Sequence, residues 1–126
     1  MRELLLVGSG GFIGSVARYL VSGAVTQFTA TARFPFGTLA VNVLGCFIIG
    51  VLAGIAEQSG TFSANTRLLL FTGVLGGFTT FSSFSADVAA LWERGTYAES
   101  AIYVLASVVM SIAALLLGLY LVRRFA

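Results

Sequence analysis

The sequence predicts an all-α membrane protein with four transmembrane helices, the third interrupted near its middle. Three observations carry this expectation. The chain of 126 residues is 58% hydrophobic and only 10% charged, whereas soluble domains carry about 25% charged residues. Its mean hydropathy is +0.99. Its apolar residues fall into four runs, each close to the ~20 residues that cross a bilayer as helix.

The first run spans Leu4 to Ala24. Arg2 precedes it, but it outlasts the apolar core of a signal peptide and shows no small-residue cleavage site, so it is expected to be retained. The second spans Phe36 to Ala56 and follows Pro35, whose missing N–H costs nothing where a helix starts. The third spans Leu68 to Ala90 and the fourth Ser100 to Val122. The links are a polar loop from Thr26 to Phe36, a turn-forming stretch with Ser59, Gly60 and Ser63, and the charged turn Glu93-Arg94-Gly95. Residues 1–126 are expected to form one compact four-helix unit.

The third run is the anomaly. Gly73, Gly76 and Gly77 lie in it, and each costs about 1 kcal/mol against alanine in a helix. Thr79, Thr80, Ser82, Ser83 and Ser85 follow, with Phe81 and Phe84 among them. Non-helical backbone at membrane depth survives only inside protein or along a wet cavity. Interrupted helices also free carbonyl oxygens that hold cations.

Composition excludes several classes. There is no His and no Lys, and Cys46 is the single cysteine. A His/Cys metal cluster, a Ser-His-Asp or Cys-His nucleophile and an internal disulfide are therefore ruled out within one chain. No phosphate-binding loop is present. The chain is expected to be no enzyme and to hold no organic cofactor. Its five acidic residues lie near the expected span ends, which argues against an intramembrane proton relay. A net charge of +2 is too small to suggest nucleic acid, and Arg123-Arg124 reads as an interfacial anchor.

Arginine sets orientation only weakly. Four spans place Arg2, Arg67, Arg123 and Arg124 on one side and Arg33 and Arg94 on the other, with Arg18 leaning the second way. So slight a bias allows insertion both ways, and with it an antiparallel dimer. Gly10 with Gly14 and Gly50 with Gly54 are each four apart, and Gly45 accompanies the second pair. Such spacing lets backbones approach closely, and these glycines are expected to mediate an oligomer.

Polar residues at membrane depth form three sets. Thr38 and Asn42 are four apart on one helix face. Asn42 is either an interhelical clamp or a donor to a ligand. Tyr103, Ser107 and Ser111 are spaced by four twice and place three hydroxyls along one stripe. They are either back-bonded to their own helix or a ladder of donors for a partly dehydrated anion. Phe81 and Phe84 project from one side once helix resumes, and the positive edges of their rings suit a small anion that must leave again. They equally suit plain packing. Arg18 either snorkels to the interface or concentrates anions at a pore mouth.

The run Gly76-Gly77-Phe78-Thr79-Thr80-Phe81-Ser82-Ser83-Phe84-Ser85 resembles the signature of the Fluc (CrcB) family of bacterial fluoride channels. The run Gly37-Thr38-Leu39-Ala40-Val41-Asn42-Val43-Leu44-Gly45 is similar to that family's second-helix motif, and residues 10–19 to its first. Ser15 stands where many members have Ala, and Cys46 where a small residue is usual. The resemblance spans essentially the whole chain.

It implies a dual-topology, antiparallel homodimer in the cell inner membrane, with two fluoride pores and a central structural Na⁺. By the same resemblance, the pores are lined by Phe81, Phe84, Asn42, Thr38, Tyr103, Ser107, Ser111, Thr80 and Ser83. Arg18 matches a vestibule arginine. The backbone carbonyls of Gly76 and Thr79 from both chains hold the Na⁺. The implied function is passive, fluoride-selective conduction that lets cytoplasmic F⁻ leave and confers fluoride resistance. Two rivals are a small dual-topology drug/proton antiporter, which needs a carboxylate within the first span where only the terminal Glu3 stands, and a non-transporting accessory subunit, which has no need of a polar stripe, a helix break and a buried Asn together.

Overall fold

The computed structural model describes residues 1–60 and 62–126. Four helical spans are long and apolar enough to cross a membrane. The first is α1, Arg2–Phe28, and the second is α2, Phe36–Ser59. The third, Ala64–Glu93, is composite. It runs from α3, Ala64–Arg67, through a π-helical stretch, Leu68–Leu75, to α4, Gly76–Phe78, and resumes as α5, Phe81–Glu93. The fourth is α6, Tyr97–Phe125. Each span extends beyond its apolar run, because the run marks only the part that needs hydrocarbon around it.

Local chemistry explains the ends. Pro35 caps α2, as expected of a residue that cannot donate. Gly60 ends α2 at φ 57° and Gly95 makes the turn after α5 at φ 75°, a left-handed backbone that glycine adopts without a Cβ penalty. Ser63 Oγ accepts the Thr66 N–H at 3.1 Å and caps α3.

The molecule is apolar on its outside. At most 22% of the residues in any span's most apolar window are buried within the chain. Phe12, Tyr19, Leu105 and Leu116 are among the large side chains that face outward. A bilayer accepts such a surface and water does not, so the chain is a multi-pass membrane protein. A small interior forms around Leu39, Leu91 and Tyr103, with Phe34, Val43, Phe84 and Val88 packed against it.

Close packing runs through glycine. α2 lies along α6 where Gly118 meets Phe47 O, Gly50 meets Leu115 O and Gly54 meets Val122. α1 crosses the third span where Gly10 faces Leu69 O and Gly73 Cα, Gly14 faces Val74 O, and Gly77 faces Gly11 O. Gly45 receives the Thr79 methyl and the Phe78 ring. The expectation that Gly10, Gly14, Gly45, Gly50 and Gly54 mediate an oligomer is thereby corrected: these glycines seat helices of the same chain. In hydrocarbon, close van der Waals approach replaces the hydrophobic effect as the force between helices, so a single chain already needs every small residue at its crossings.

At the ends of α2 and α6, Arg123 Nη2 meets Glu57 Oε2 at 2.7 Å and Gln58 Nε2 donates to Val122 O at 3.2 Å. The ion pair is more than half exposed, and such a pair contributes at most about 1 kcal/mol.

The glycine contacts make a direct test. A methyl at Gly50 strikes the Leu115 carbonyl, whereas one at Gly8 meets nothing within 4 Å. Gly50→Ala should destabilise the chain by about 1–3 kcal/mol, the usual cost of overpacking, and Gly8→Ala should be neutral or stabilising. Thermal unfolding in detergent measures both.

Candidate functional site

The third span breaks at two residues. Thr79 has φ −77° and ψ 156°, and Thr80 has φ −151° and ψ 114°, both extended. The glycines before them remain helical, so the break lies near the middle of the span as expected but is narrower than the Gly73–Ser85 stretch suggests. An i→i−4 ladder cannot cross two extended residues. The Thr80 N–H, which a continuous helix would point at Gly76 O, turns instead to Asn42 Oδ1 at 2.8 Å. Asn42 Nδ2 in turn donates to Thr80 O at 3.0 Å. The side-chain amide of α2 thus pairs with the backbone of one residue as a second peptide would, and this pairing fixes which way the amide faces. One Nδ2 proton remains.

α5 then starts under its own cap. Thr80 Oγ1 accepts the Ser83 N–H at 3.1 Å and lies 3.1 Å from Ser83 Oγ and 3.3 Å from Ser82 Oγ. Thr79 Oγ1 donates to Leu75 O at 2.9 Å, closing the C-terminal end of α4.

Cavities lie on both sides of Thr80. One, of about 450 Å³, holds Arg18 together with Ser15, Ser22, Thr26, Thr38, Thr80 and Ser83. It is a hydroxyl-lined cavity around one cation. The other, of about 340 Å³, is lined by Asn42, Cys46, Thr79, Thr80, Phe81, Phe84, Ser107 and Ser111, with Val108 and Ile112. It is mainly apolar, with a few polar groups converging on it. Among the described residues, Ser107 Oγ is the buried side-chain oxygen that makes no hydrogen bond. No described residues form a His/Cys/Asp/Glu group able to hold a metal.

The model of the CrcB-like protein, Camphor Resistance (CrcB) family matches residues 5–119. The chain belongs to the CrcB family. It is 54% identical over 124 residues to a fluoride-specific ion channel FluC of Agrobacterium fabrum, covering 98% of each chain. It is 50% identical over 126 residues to that of Rhizobium johnstonii, covering all of both. It is 43% identical over 123 residues to that of Methylobacillus flagellatus, covering 98% of this chain and 96% of the relative. These relatives are named as channels, in keeping with the expectation that the chain is no enzyme.

Within the CrcB fold, the expected residues divide between the cavities. Asn42, Phe81, Phe84, Ser107, Ser111 and Thr80 line the apolar one, and Thr38, Ser83, Arg18 and again Thr80 line the polar one. Phe81 is 78% exposed and its ring centroid lies 5.4 Å from that of Phe84. Tyr103 departs from the expected stripe. It is fully buried and lines neither cavity. Its ring lies 5.4 Å from Phe34, edge to face, and 5.3 Å from Phe84, and its hydroxyl donates to Asp87 Oδ2 at 3.1 Å. Gly76 is exposed beside the break, and its Cβ position meets only Phe71 O at 3.7 Å.

Two features escaped the sequence. Arg18 is no end-of-helix residue, since α1 continues to Phe28, roughly 15 Å further along the axis. Its depth was hidden because the apolar run ends early. Asp87 was read only as an end charge, yet it receives the Tyr103 hydroxyl. Its spacing of three from Phe84 on α5 is the signal that pairs it with the aromatic face.

The Asn42 lock predicts its own removal. Asn42→Ala leaves the N–H and C=O of Thr80 without partners at membrane depth. The loss should be about 1–3 kcal/mol for each group, seen as an earlier thermal transition in detergent.

Proposed function

We propose that residues 1–126 form the subunit of a passive, fluoride-selective channel of the cell inner membrane, through which cytoplasmic F⁻ leaves and by which the cell resists fluoride. The observation that carries the reading is the Asn42–Thr80 lock set between an arginine-bearing polar cavity and a phenylalanine-bearing one. The names of the relatives supply the ion. HF crosses membranes neutral and dissociates in a less acidic cytoplasm. A negative-inside potential then drives F⁻ outward by about 2.3 kcal/mol per 100 mV, with no coupling ion or nucleotide.

The residues divide the work by charge. Arg18, among Ser and Thr hydroxyls, raises the local anion concentration. Past it the path offers weak neutral groups: the remaining Asn42 N–H, the hydroxyls of Thr80, Ser83, Thr38, Ser107 and Ser111, and the ring edges of Phe81 and Phe84, with Tyr103 backing Phe84. Donors of this strength favour an ion stripped of part of its water without holding it.

The subunit assembles, on this reading, as an antiparallel, dual-topology homodimer with two pores. The weak arginine bias and the outward-facing Phe81 support it. A Na⁺ on the dimer axis fits the donor set. The break leaves carbonyls at Gly76 and Thr79 without an acidic cluster nearby, and neutral oxygens suit a hard monovalent cation. Two oxygens per chain make two chains necessary. Bound there, the ion would supply positive charge and tie the broken helices of the two subunits together.

Efflux from liposomes tests the function. Vesicles loaded with KF and treated with valinomycin should release fluoride rapidly, while KCl vesicles release little chloride. Phe81→Ile and Phe84→Ile should lower fluoride release about tenfold or more, as loss of roughly 1.4 kcal/mol does, in protein that elutes at the native size. Equal chloride and fluoride release would defeat the selectivity, and full flux in both variants would defeat the ring-edge role.

A further inference from the structure

A third cavity, of about 380 Å³, lies beneath the loop between α1 and α2. It shares Ser22, Thr26 and Thr38 with the cavity of Arg18, so the two make one polar trough. Its outer lining includes Arg33, and Asp87 faces it from α5. Where the two parts join, a Cβ on Gly37 would lie 2.7 Å from both Ser22 Oγ and Thr26 Oγ1. Only glycine lets α2 come that close to these hydroxyls.

The hydroxyls that line the trough are open to a ligand. In this chain the helical Ser9, Ser59 and Ser85, and Thr29 at the end of α1, bond back to a carbonyl of the preceding turn. Among the described residues, no hydrogen bond engages the side-chain hydroxyl of Ser22 or Thr26. A back-bonded hydroxyl has its proton committed to its own helix, whereas those of Ser22 and Thr26 are left to donate into the polar trough. The charges point the same way. The trough holds two guanidinium groups and one carboxylate, and among the described residues the ion pair formed is Arg123–Glu57, at the other end of the molecule. Asp87 is already engaged by Tyr103.

We infer that this trough is the mouth of the anion path at the α1–α2 end of each subunit, with Arg33 drawing the ion to the rim and the Ser22 and Thr26 hydroxyls lying between it and Arg18. The inference rests on the channel reading. Arg33 acts at a distance through water, so its effect is screened by salt, with a Debye length of about 30 Å at 0.01 M and about 3 Å at 1 M. Thr26 acts by contact and is unscreened. Arg94 is the natural comparison. It is exposed, it follows α5 on the same side as the α1–α2 loop, and it lines neither part of the trough.

The test is fluoride efflux from liposomes holding the full chain, at ionic strengths of about 0.01 M and about 1 M set with potassium glutamate. Arg33→Gln should lower efflux about twofold at low salt, the effect of one charge near 10 Å in water, and leave it unchanged at high salt. Thr26→Val, which keeps the side-chain shape, should lower efflux about two- to tenfold at both, the range of one lost hydrogen bond. Arg94→Gln should match the unmodified chain throughout. An unmodified chain that conducts, with Arg33→Gln equal to it at low salt, overturns the inference and leaves the channel reading standing. An equal loss in Arg94→Gln also overturns it, because a general surface potential would then suffice. A silent unmodified chain brings down both.

Discussion

The pairing of the Asn42 amide with the Thr80 backbone is the constraint on which the rest of the site depends. At membrane depth a free N–H or C=O has no water to turn to. A break in the third span therefore persists only if another part of the protein offers a donor and an acceptor at peptide spacing. Among the side chains, an amide alone carries both in that geometry. Asn42 supplies them at 3.0 and 2.8 Å. With the break held, α5 restarts at Phe81 under the Thr80 cap, so the rings of Phe81 and Phe84 take their places relative to α6. The same pairing makes Thr80 a wall common to two cavities, one holding Arg18 among hydroxyls and one mainly apolar.

The clamp and ligand readings of Asn42 turn out not to compete. Thr80 takes one proton and the carbonyl oxygen, and the second Nδ2 proton is left over. A residue fixed by two hydrogen bonds to backbone presents a third group with little freedom to lose. On the channel reading, that is what an anion path needs of a donor: a position set before the ion arrives, so that no reorganisation accompanies its passage.

What the sequence made legible follows from which forces are local. Span number and approximate limits were readable because hydrocarbon thickness acts on each run separately. The identity of the broken span was readable from its Gly, Ser and Thr content. The break near the middle of that span was readable too, but not the residues that carry it: Gly76 and Gly77 have poor propensity yet stay helical, while Thr79 and Thr80 are extended by a partner that lies 38 positions away in the chain. The π-helical stretch from Leu68 to Leu75 was not read from the sequence either; it lies where Gly10 and Gly14 cross over Leu69 and Val74. The glycine pairs were correctly read as points of close approach but assigned to the wrong partner, since spacing tells that a backbone comes near without telling whose. Tyr103 shares a face with Ser107 and Ser111, yet face alone could not say that Phe34, Phe84 and Asp87 would enclose its ring and hydroxyl.

The distribution of charge along the site has a physical logic of its own. Full positive charge lies in the polar trough, on Arg18 and Arg33, and the cavity around Asn42, Phe81, Phe84 and Ser107 has none. A guanidinium in a narrow, dry place would bind an anion with much of the Coulomb energy unscreened, and the ion would stay. In a trough lined by hydroxyls and open to water, the same charge is screened to a modest attraction that raises concentration without trapping. On the channel reading, the neutral section would then need only to replace part of the ion's hydration, which hydroxyl, amide and ring-edge contacts of about 1 kcal/mol each can do. On the channel reading, arginine among the hydroxyls and neutral donors beside the phenylalanines would let a small anion both enter and leave.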